Sequence, residues 1–485
     1  MAEYIIETKD NRWEVICGLE IHCQIISKSK MFSGASTVFG ADANEHVSFV
    51  DAGMPGMLPV LNERCVHQAV KTGLGLNAKI NKYSQFSRKN YFYADLPQGY
   101  QITQFQYPIV GEGKVVINLE DGSSKEIGIE RMHIEQDAGK SIHDIDPKKT
   151  YIDLNRAGVG LMEIVTKPDF RSPEEAGAFL KKLRSILRYL ETCDGNMDEG
   201  SMRCDVNVSV RKVGEDGYRT RCEMKNVNSV KFVMSAIENE ARRHVEVYEA
   251  GGKIEQETRQ FDPLTGQTRV MRKKEFAHDY RYFPEPDLVP IVISDEWIAK
   301  VKANQPELRT EKLERYQKEF DLPKYDAEII TGHKKFADLF EAATKLCGKP
   351  KKVSNWIMVE TMRLLKENNM DPEDIRFSPV NLAKLINLAD SGSITNTVAK
   401  EVFELIFKDD IDPEKYVEEK GLKTVNDEGA LRETVQKILA ENPQSVEDYH
   451  NGKEKAIGFL VGQTMKAMKG KANPALVNQI LKELL

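Results

Sequence analysis

The stretch Trp13-Glu14-Val15-Ile16-Cys17-Gly18-Leu19-Glu20-Ile21-His22-Cys23-Gln24-Ile25 alternates along its whole length. Trp13, Val15, Cys17, Leu19, Ile21, Cys23 and Ile25 share one face; Glu14, Ile16, Gly18, Glu20, His22 and Gln24 share the other. A strand repeats every two residues, so Glu20 and His22 point the same way, roughly 7 Å apart. The pattern returns at residues 202–210, with Met202, Cys204, Val206, Val208 and Val210 opposite Arg203, Asp205, Asn207 and Ser209. A third copy sets Arg221, Glu223 and Lys225 against Cys222 and Met224, and Gly214-Glu215-Asp216-Gly217 between the two reads as a hairpin turn. Strands with one apolar and one polar face predict an antiparallel sheet.

A solvated sheet face is the plain explanation for any one such strand. The residue types argue for more. Idle faces favour Thr, Lys and Ser, whereas Glu, His, Asp and Asn ligate hard cations and accept hydrogen bonds. Glu163 sharpens the point, because it is the one carboxylate in the apolar run Val159-Gly160-Leu161-Met162-Glu163-Ile164-Val165. A buried carboxylate must be paired, protonated or metal-bound. An ion pair to an Arg such as Arg156 is one answer and a metal the other. His133-Ile134-Glu135-Gln136-Asp137 adds further acids. Oxygen ligands with one His and no thiolate suit Mg²⁺ or Mn²⁺ better than zinc. Mg²⁺ commonly joins few carboxylates to substrate phosphates, for which Arg88, Lys89, Lys140 and Lys225 are candidate partners. There is no Walker motif, no Gly-x-Gly-x-x-Gly before a helix and no kinase signature. The residues alone therefore reach a Mg-nucleotide site on an antiparallel sheet and go no further.

The chain has 485 residues, enough for about three domains at roughly 150 residues each. Its net charge of −7 argues against a general nucleic-acid coat, so any nucleic-acid contact must come from a local basic patch. Seven scattered cysteines without a Cys-x-x-Cys pair argue against a disulfide framework and a Cys-rich zinc site. No stretch approaches the ~20 apolar residues of a membrane helix, and residues 1–10 lack an apolar signal core. The cytoplasm is the expected location.

Ser172-Pro173-Glu174-Glu175 is a capping box opening a helix through Ala176, Phe179, Leu180, Leu183, Leu187 and Leu190. A second helix is expected from Ser229 to Glu249, stopping at Gly251-Gly252. Beyond about Asp295 the pattern turns helical, after Phe283-Pro284-Glu285-Pro286-Asp287, which reads as a stiff extended connector. Residues 408–413 form a polar break ending in Pro413. Three domains follow from these breaks: residues 1–292 with the sheet, 293–410 helical, and 411–485 a helical tail. The tail carries Lys453, Lys455, Lys466, Lys469 and Lys471 against one acid, Glu454, which is either a solvated helix face or a polyanion contact. Gly458 and Gly462 lie four apart on one helix face, which predicts close approach of another backbone there. Asn473-Pro474 caps the last helix.

Several strings resemble the B subunit of the bacterial and organellar tRNA-dependent amidotransferases. They are Gly18-Leu19-Glu20-Ile21-His22, Gly53-Met54-Pro55-Gly56-Met57-Leu58-Pro59-Val60-Leu61-Asn62, Arg88-Lys89-Asn90-Tyr91-Phe92-Tyr93, residues 133–140, residues 279–287 and Gly458-Phe459-Leu460-Val461-Gly462-Gln463. The resemblance runs from about residue 13 to the C-terminus. It implies an α+β fold: an N-terminal antiparallel-sheet catalytic cradle, an all-α middle domain and a tail that contacts tRNA. It also implies a ligase reaction. ATP phosphorylates the side-chain carboxylate of Glu-tRNA(Gln) or Asp-tRNA(Asn), and ammonia displaces phosphate to give the amide. By the resemblance, His22, Glu135 and Glu163 hold Mg²⁺, Glu20 and Asp205 join the catalytic surroundings, and Lys89, Asn207 and Glu223 contact the nucleotide. No glutaminase motif is present, so ammonia is expected from a separate A subunit, with a small C subunit completing a heterotrimer. Many relatives carry four cysteines as a zinc site before the Gly-Met-Pro-Gly string. Here Ser48-Phe49-Val50-Asp51-Ala52 has none, so no structural zinc is expected. The archaeal Gln-only paralogue carries an extra inserted domain for which residues 285–295 leave no room. Two readings of other classes stay open: a scaffold that only presents tRNA, and a metal-dependent phosphoesterase with the same ligands.

Overall fold

The computed structural model describes residues 4–262, 265–273, 279–424, 428–453, 455–468 and 470–485, with backbone only at Asn226, Arg272 and Lys273. It divides into two compact units, Met1–Leu308 and Arg309–Leu485. In the first unit the strands used below are β1 (Ile5–Glu7), β2 (Arg12–Gln24), β3 (Ser87–Asn90), β4 (Tyr100–Thr103), β5 (Gly113–Asn118), β6 (Ser124–Gln136), β7 (Gly160–Thr166), β8 (Met202–Lys212), β9 (Cys222–Val227), β10 (Glu257–Phe261), β11 (Thr268–Lys273) and β12 (Phe283–Pro284). A nine-stranded sheet runs β11-β10-β9-β8-β2-β7-β6-β5, with β1 also on β2; a smaller one runs β12-β3-β4.

The alternation of residues 13–25 becomes β2, at the centre of the large sheet. The first helices are α1 (Glu63–Gly75), α2 (Pro173–Leu190) and α3 (Val230–Glu249); the apolar face of β2 packs under α2 and α3, burying Val15, Cys17, Leu19, Ile21 and Cys23 among Phe179, Leu183, Leu187, Val233 and Ile237. Both helices begin where expected. Ser172 Oγ accepts from the Glu175 amide at 3.1 Å, and Ser229 Oγ from Phe232 at 3.1 Å. Glu175 reaches back one residue further than a capping box requires, to the Arg171 amide at 2.7 Å. α3 ends at Gly251, whose φ of +77° favours glycine.

The expected all-antiparallel sheet needs one correction. β9 and β10 pair in parallel, because α3 carries the chain back between them. The connector around Pro284 is extended, but it is bolted to the sheet-bearing unit. β12 pairs with β3, the Glu285 amide donates to Phe86 O at 2.9 Å, and Arg88 grips the buried Glu285 carboxylate at 2.8 and 2.9 Å. The next helix, Asp295–Ala303, also belongs to this unit, with Val301 in its core.

The second unit is helical throughout its described elements. The break at residues 408–413 ends one helix at Asp410 in the left-handed region and starts the next with Asp412 capping Glu414 and Lys415. Residues beyond Glu428 have their own apolar cluster of Leu431, Val435, Ile438, Leu460, Val477, Ile480 and Leu481. Asn473 caps the last helix as expected. Gly458 and Gly462 do not meet another backbone. A Cβ at either would touch nothing within 4 Å, so both lie open on the helix Lys455–Ala467. Lys455 and Lys466 are exposed on it, whereas Glu454 and Lys469 lie outside the described residues.

Candidate functional site

Strand register brings the acids together. In one row across the polar face, His133 on β6 lies opposite Glu163 on β7, Glu163 opposite His22 on β2, and His22 opposite Arg203 on β8. The next row sets Glu20 opposite Asp205, while Asn207 faces Glu223 on β9. Opposed residues of antiparallel strands project to the same face, so five separate stretches of chain converge on one surface.

The centre is Glu163. Its Oε2 lies 3.3 Å from His22 Nε2 and 3.5 Å from His133 Nε2. His133 Nε2 is also 3.5 Å from Glu135 Oε2, which accepts from Thr103 Oγ1 at 2.8 Å. Burial opposes every charge here, and the partners override it. His133 and Glu135 sit below 8% exposure, yet the two carboxylates push the His133 pKa up to about 9. Burial likewise disfavours ionised Glu163, but His133 and His22 hold its pKa well below the usual range. Arg156, the alternative partner offered by the sequence, is engaged elsewhere. It lies 3.5 Å from Asp137 Oδ2 and donates to the carbonyls of Ala138 and Gly139.

Beside this centre lies a second acidic group. Burial and the neighbouring Glu163, Glu223 and Asp205 raise the Glu20 pKa, and Asn207 Nδ2 donates to Glu20 Oε1 at 3.0 Å. Lys225 bridges Asp205 at 2.5 Å and Glu223 at 3.1 Å. Lys89, on β3, faces the centre from the smaller sheet. Burial works against its ammonium, but Glu135, Tyr282 and Glu163 keep it charged far into the alkaline range, and its Nζ sits 4.9 Å over the Tyr280 ring. Of the other cations, Arg88 is committed to Glu285 and Asp287, and Lys140 is exposed.

His22, Glu135 and Glu163 each offer a ligand atom, all within 4.8 Å of one another. Two carboxylates and an imidazole at that spacing fit a small divalent cation that also takes ligands from water and phosphate. Sequence reasoning missed His133. Its spacing from Glu135, two residues on one strand, repeats that of Glu20 and His22, and would have found it. It also missed the Arg203–Asp137 pair, at 3.0 Å, which closes the row.

A second grouping, Cys222, Glu240 and His244, lies on the opposite face and is closed. Glu240 is already held by Arg243 at 2.6 Å, His244 at 3.1 Å and Thr268 at 2.7 Å. Burial disfavours its charge, but His244 and Arg243 hold its pKa well below the ordinary value of 4.5. A depressed carboxylate pKa stabilises the fold above the unfolded value and loses that contribution as pH falls towards the folded one. Glu240→Gln is therefore expected to cost about 3 kcal/mol in urea unfolding at pH 7. Its deficit against wild type should shrink steadily below about pH 4.3. A deficit that stays constant from about pH 4.3 down to about pH 2.5 would refute this role.

Comparison with known proteins identifies the family. Residues 15–299 match the GatB/GatE catalytic domain and residues 338–485 the GatB domain. The chain is 58% identical over 473 residues to the B subunit of the aspartyl/glutamyl-tRNA(Asn/Gln) amidotransferase of Agathobacter rectalis, covering 98% of this chain and 99% of that one. It is 57% identical over 480 residues to the same protein of Rickettsia conorii, at 99% coverage of each. The corresponding protein of Rhodospirillum rubrum is 56% identical over 483 residues, again at 99% of both chains. Both halves of the chain are matched in order and nearly end to end, and the chain belongs to the family of aspartyl/glutamyl-tRNA(Asn/Gln) amidotransferase B subunits.

Proposed function

We propose that the protein is the B subunit of a heterotrimeric tRNA-dependent amidotransferase, a carbon–nitrogen ligase that converts Glu-tRNA(Gln) or Asp-tRNA(Asn) to the amidated form with ATP and ammonia. The observation that carries this is the Glu163 centre, a carboxylate gripped by two imidazoles beside Glu135 and Lys89. A scaffold that only presents tRNA has no use for such buried charge, which costs stability unless employed.

In the reaction, a side-chain carboxylate oxygen of the aminoacyl group attacks the γ-phosphorus of ATP and ADP leaves. Ammonia then attacks the acyl carbon, the carbon–oxygen bond to phosphate breaks, and inorganic phosphate departs while the nitrogen loses a proton. His22, Glu135 and Glu163 would hold Mg²⁺. When bound, that ion neutralises charge on the transferring phosphoryl group. The chain's own groups do the rest. Lys89 supplies a fixed positive charge for phosphate oxygens, held in place by the ring of Tyr280. His133 and Thr103 fix the orientation of Glu135 and Glu163. Glu20, with its raised pKa and its Asn207 contact, is a proton acceptor placed beside the same surface. Asp205, Asn207 and Glu223 shape the nucleotide side of the site, with Lys225 bridging the two acids and offsetting their repulsion. In the second unit, the residues beyond Glu428 form a helical tail domain that contacts tRNA away from its acceptor end. Its helix Lys455–Ala467 exposes Lys455 and Lys466 for that purpose.

The loop before Gly53 is closed by an internal cation. Lys30 Nζ, fully buried, contacts Asp51 Oδ2 at 3.1 Å and the carbonyl of His46 at 2.6 Å. An ammonium there repels a second cation, so zinc should be sub-stoichiometric by elemental analysis. The function is tested by co-purifying the chain with the A and C subunits and supplying each mischarged tRNA with ATP and glutamine. Conversion of at least one is expected; ATP turnover indifferent to aminoacyl-tRNA would favour a phosphoesterase instead.

A further inference from the structure

The Lys89 site is crossed by a ladder of aromatic rings. Tyr93 meets Tyr91 at 5.8 Å between ring centroids, Tyr91 meets Tyr280 at 6.3 Å, and Tyr280 meets Tyr282 at 6.0 Å. Tyr282 then stacks flat on Phe105 at 4.2 Å, with the planes 5° apart. Lys89 Nζ lies against the middle of the ladder, 4.9 Å from Tyr280 and 5.8 Å from Tyr91. The ends are open: Tyr93 is 62% and Phe105 52% exposed.

Two segments distant in sequence build this track, and specific contacts lock them together. The Asn90 side-chain amide donates to the carbonyls of Tyr280 and Arg281 at 3.0 and 2.9 Å, and its backbone N–H also donates to Tyr280 O. Arg281 is held at φ +46°, in the left-handed region, with its amide capped by Asp279 at 2.9 Å. A non-glycine residue kept there costs energy, and such strain persists where surrounding contacts impose it, often at binding sites. Between Tyr280 and Tyr282, the exposed Arg281 adds positive charge at the rim. Phe105 also lies two residues beyond Thr103, whose hydroxyl holds Glu135. The platform thus follows directly on the strand whose last residue positions Glu135.

We propose that this track receives the unpaired 3′ end of the aminoacyl-tRNA, with its terminal adenine stacked on Phe105. The inference rests on the transamidation reading and extends it to how the substrate is held. A mononucleotide needs one stacking face; several rings in sequence, with cations beside them, match successive unpaired bases and their phosphates. Stacking at Phe105 would place the aminoacyl ester, attached to the terminal ribose, within reach of the Glu135 and Glu163 carboxylates.

The test uses the assembled heterotrimer and two uncharged tRNAs, one complete and one lacking its terminal adenosine. Wild type should bind the complete tRNA more tightly. In Phe105→Ala that preference should fall about 5- to 150-fold, the range for loss of one base–aromatic stack, and Phe105→Trp should restore it. Affinity for a non-hydrolysable ATP analogue and the glutaminase activity of the complex should not change, which also shows that the variant is folded. An unaltered preference in Phe105→Ala would overturn the proposal, as would a loss confined to the ATP analogue, which would make the platform a nucleotide site. Failure of the transamidation reading would look different, since the wild-type complex itself would then amidate no tRNA.

Discussion

Glu163→Gln should lower transamidation by about 10³-fold or more while leaving glutamine hydrolysis by the assembled complex intact. Oxyanion-type charge stabilisation at one position is worth about 10²–10³ in rate, and Glu163 serves more than one partner. It lies 3.3 Å from His22 and 3.5 Å from His133, and it joins His22 and Glu135 in the candidate cation site. The amide keeps the volume, so packing survives. What disappears is the negative charge that fixes two imidazoles and completes the ligand set. Steady-state assays with saturating mischarged tRNA read the loss, and thermal unfolding of the complex controls for folding. Retention of even a tenth of wild-type activity would mean that Glu163 is only a structural partner of its histidines.

The second large effect concerns stability. Lys30→Met should destabilise the first unit by about 3–5 kcal/mol, because it strands the Asp51 carboxylate in the interior. Lys30 and Asp51 have 0% and 2% side-chain exposure. Asp51 also accepts from Ser33 Oγ and the Ser48 amide, and so ties together the loop that precedes the Gly-Met-Pro-Gly turn. Lys30→Met with Asp51→Asn should recover part of the loss, since no unpaired charge then remains. Urea unfolding of the three forms measures this. A single variant with wild-type stability would show that the pair contributes nothing net.

How much of this was legible in the sequence follows from the range of the forces involved. Local patterns read correctly: the alternation of residues 13–25, the Ser172 and Ser229 caps, and the Asn473 cap each depend on neighbours within a few residues. Register across the sheet does not. Nothing local tells Glu163 that it will lie between His22 and His133 rather than beside Arg156, since that pairing joins strands more than a hundred residues apart in the case of His22. The parallel β9–β10 pair was hidden for the same reason, as it depends on where α3 returns the chain. Prolines 284 and 286 signalled an extended segment, but the buried grip of Arg88 on Glu285 is a tertiary fact. The open faces of Gly458 and Gly462 show the converse error, in which a local composition signal has no packing counterpart.

Everything in the proposed reaction turns on activation of the amino-acid side chain by phosphorylation of its carboxylate. Labelling both side-chain carboxylate oxygens of Glu-tRNA(Gln) with ¹⁸O tests this directly in the assembled heterotrimer with ATP and glutamine. Mass spectrometry of the released inorganic phosphate should find one ¹⁸O per amide formed, the other label remaining in the product amide. Unlabelled phosphate accompanying amide formation would contradict the account.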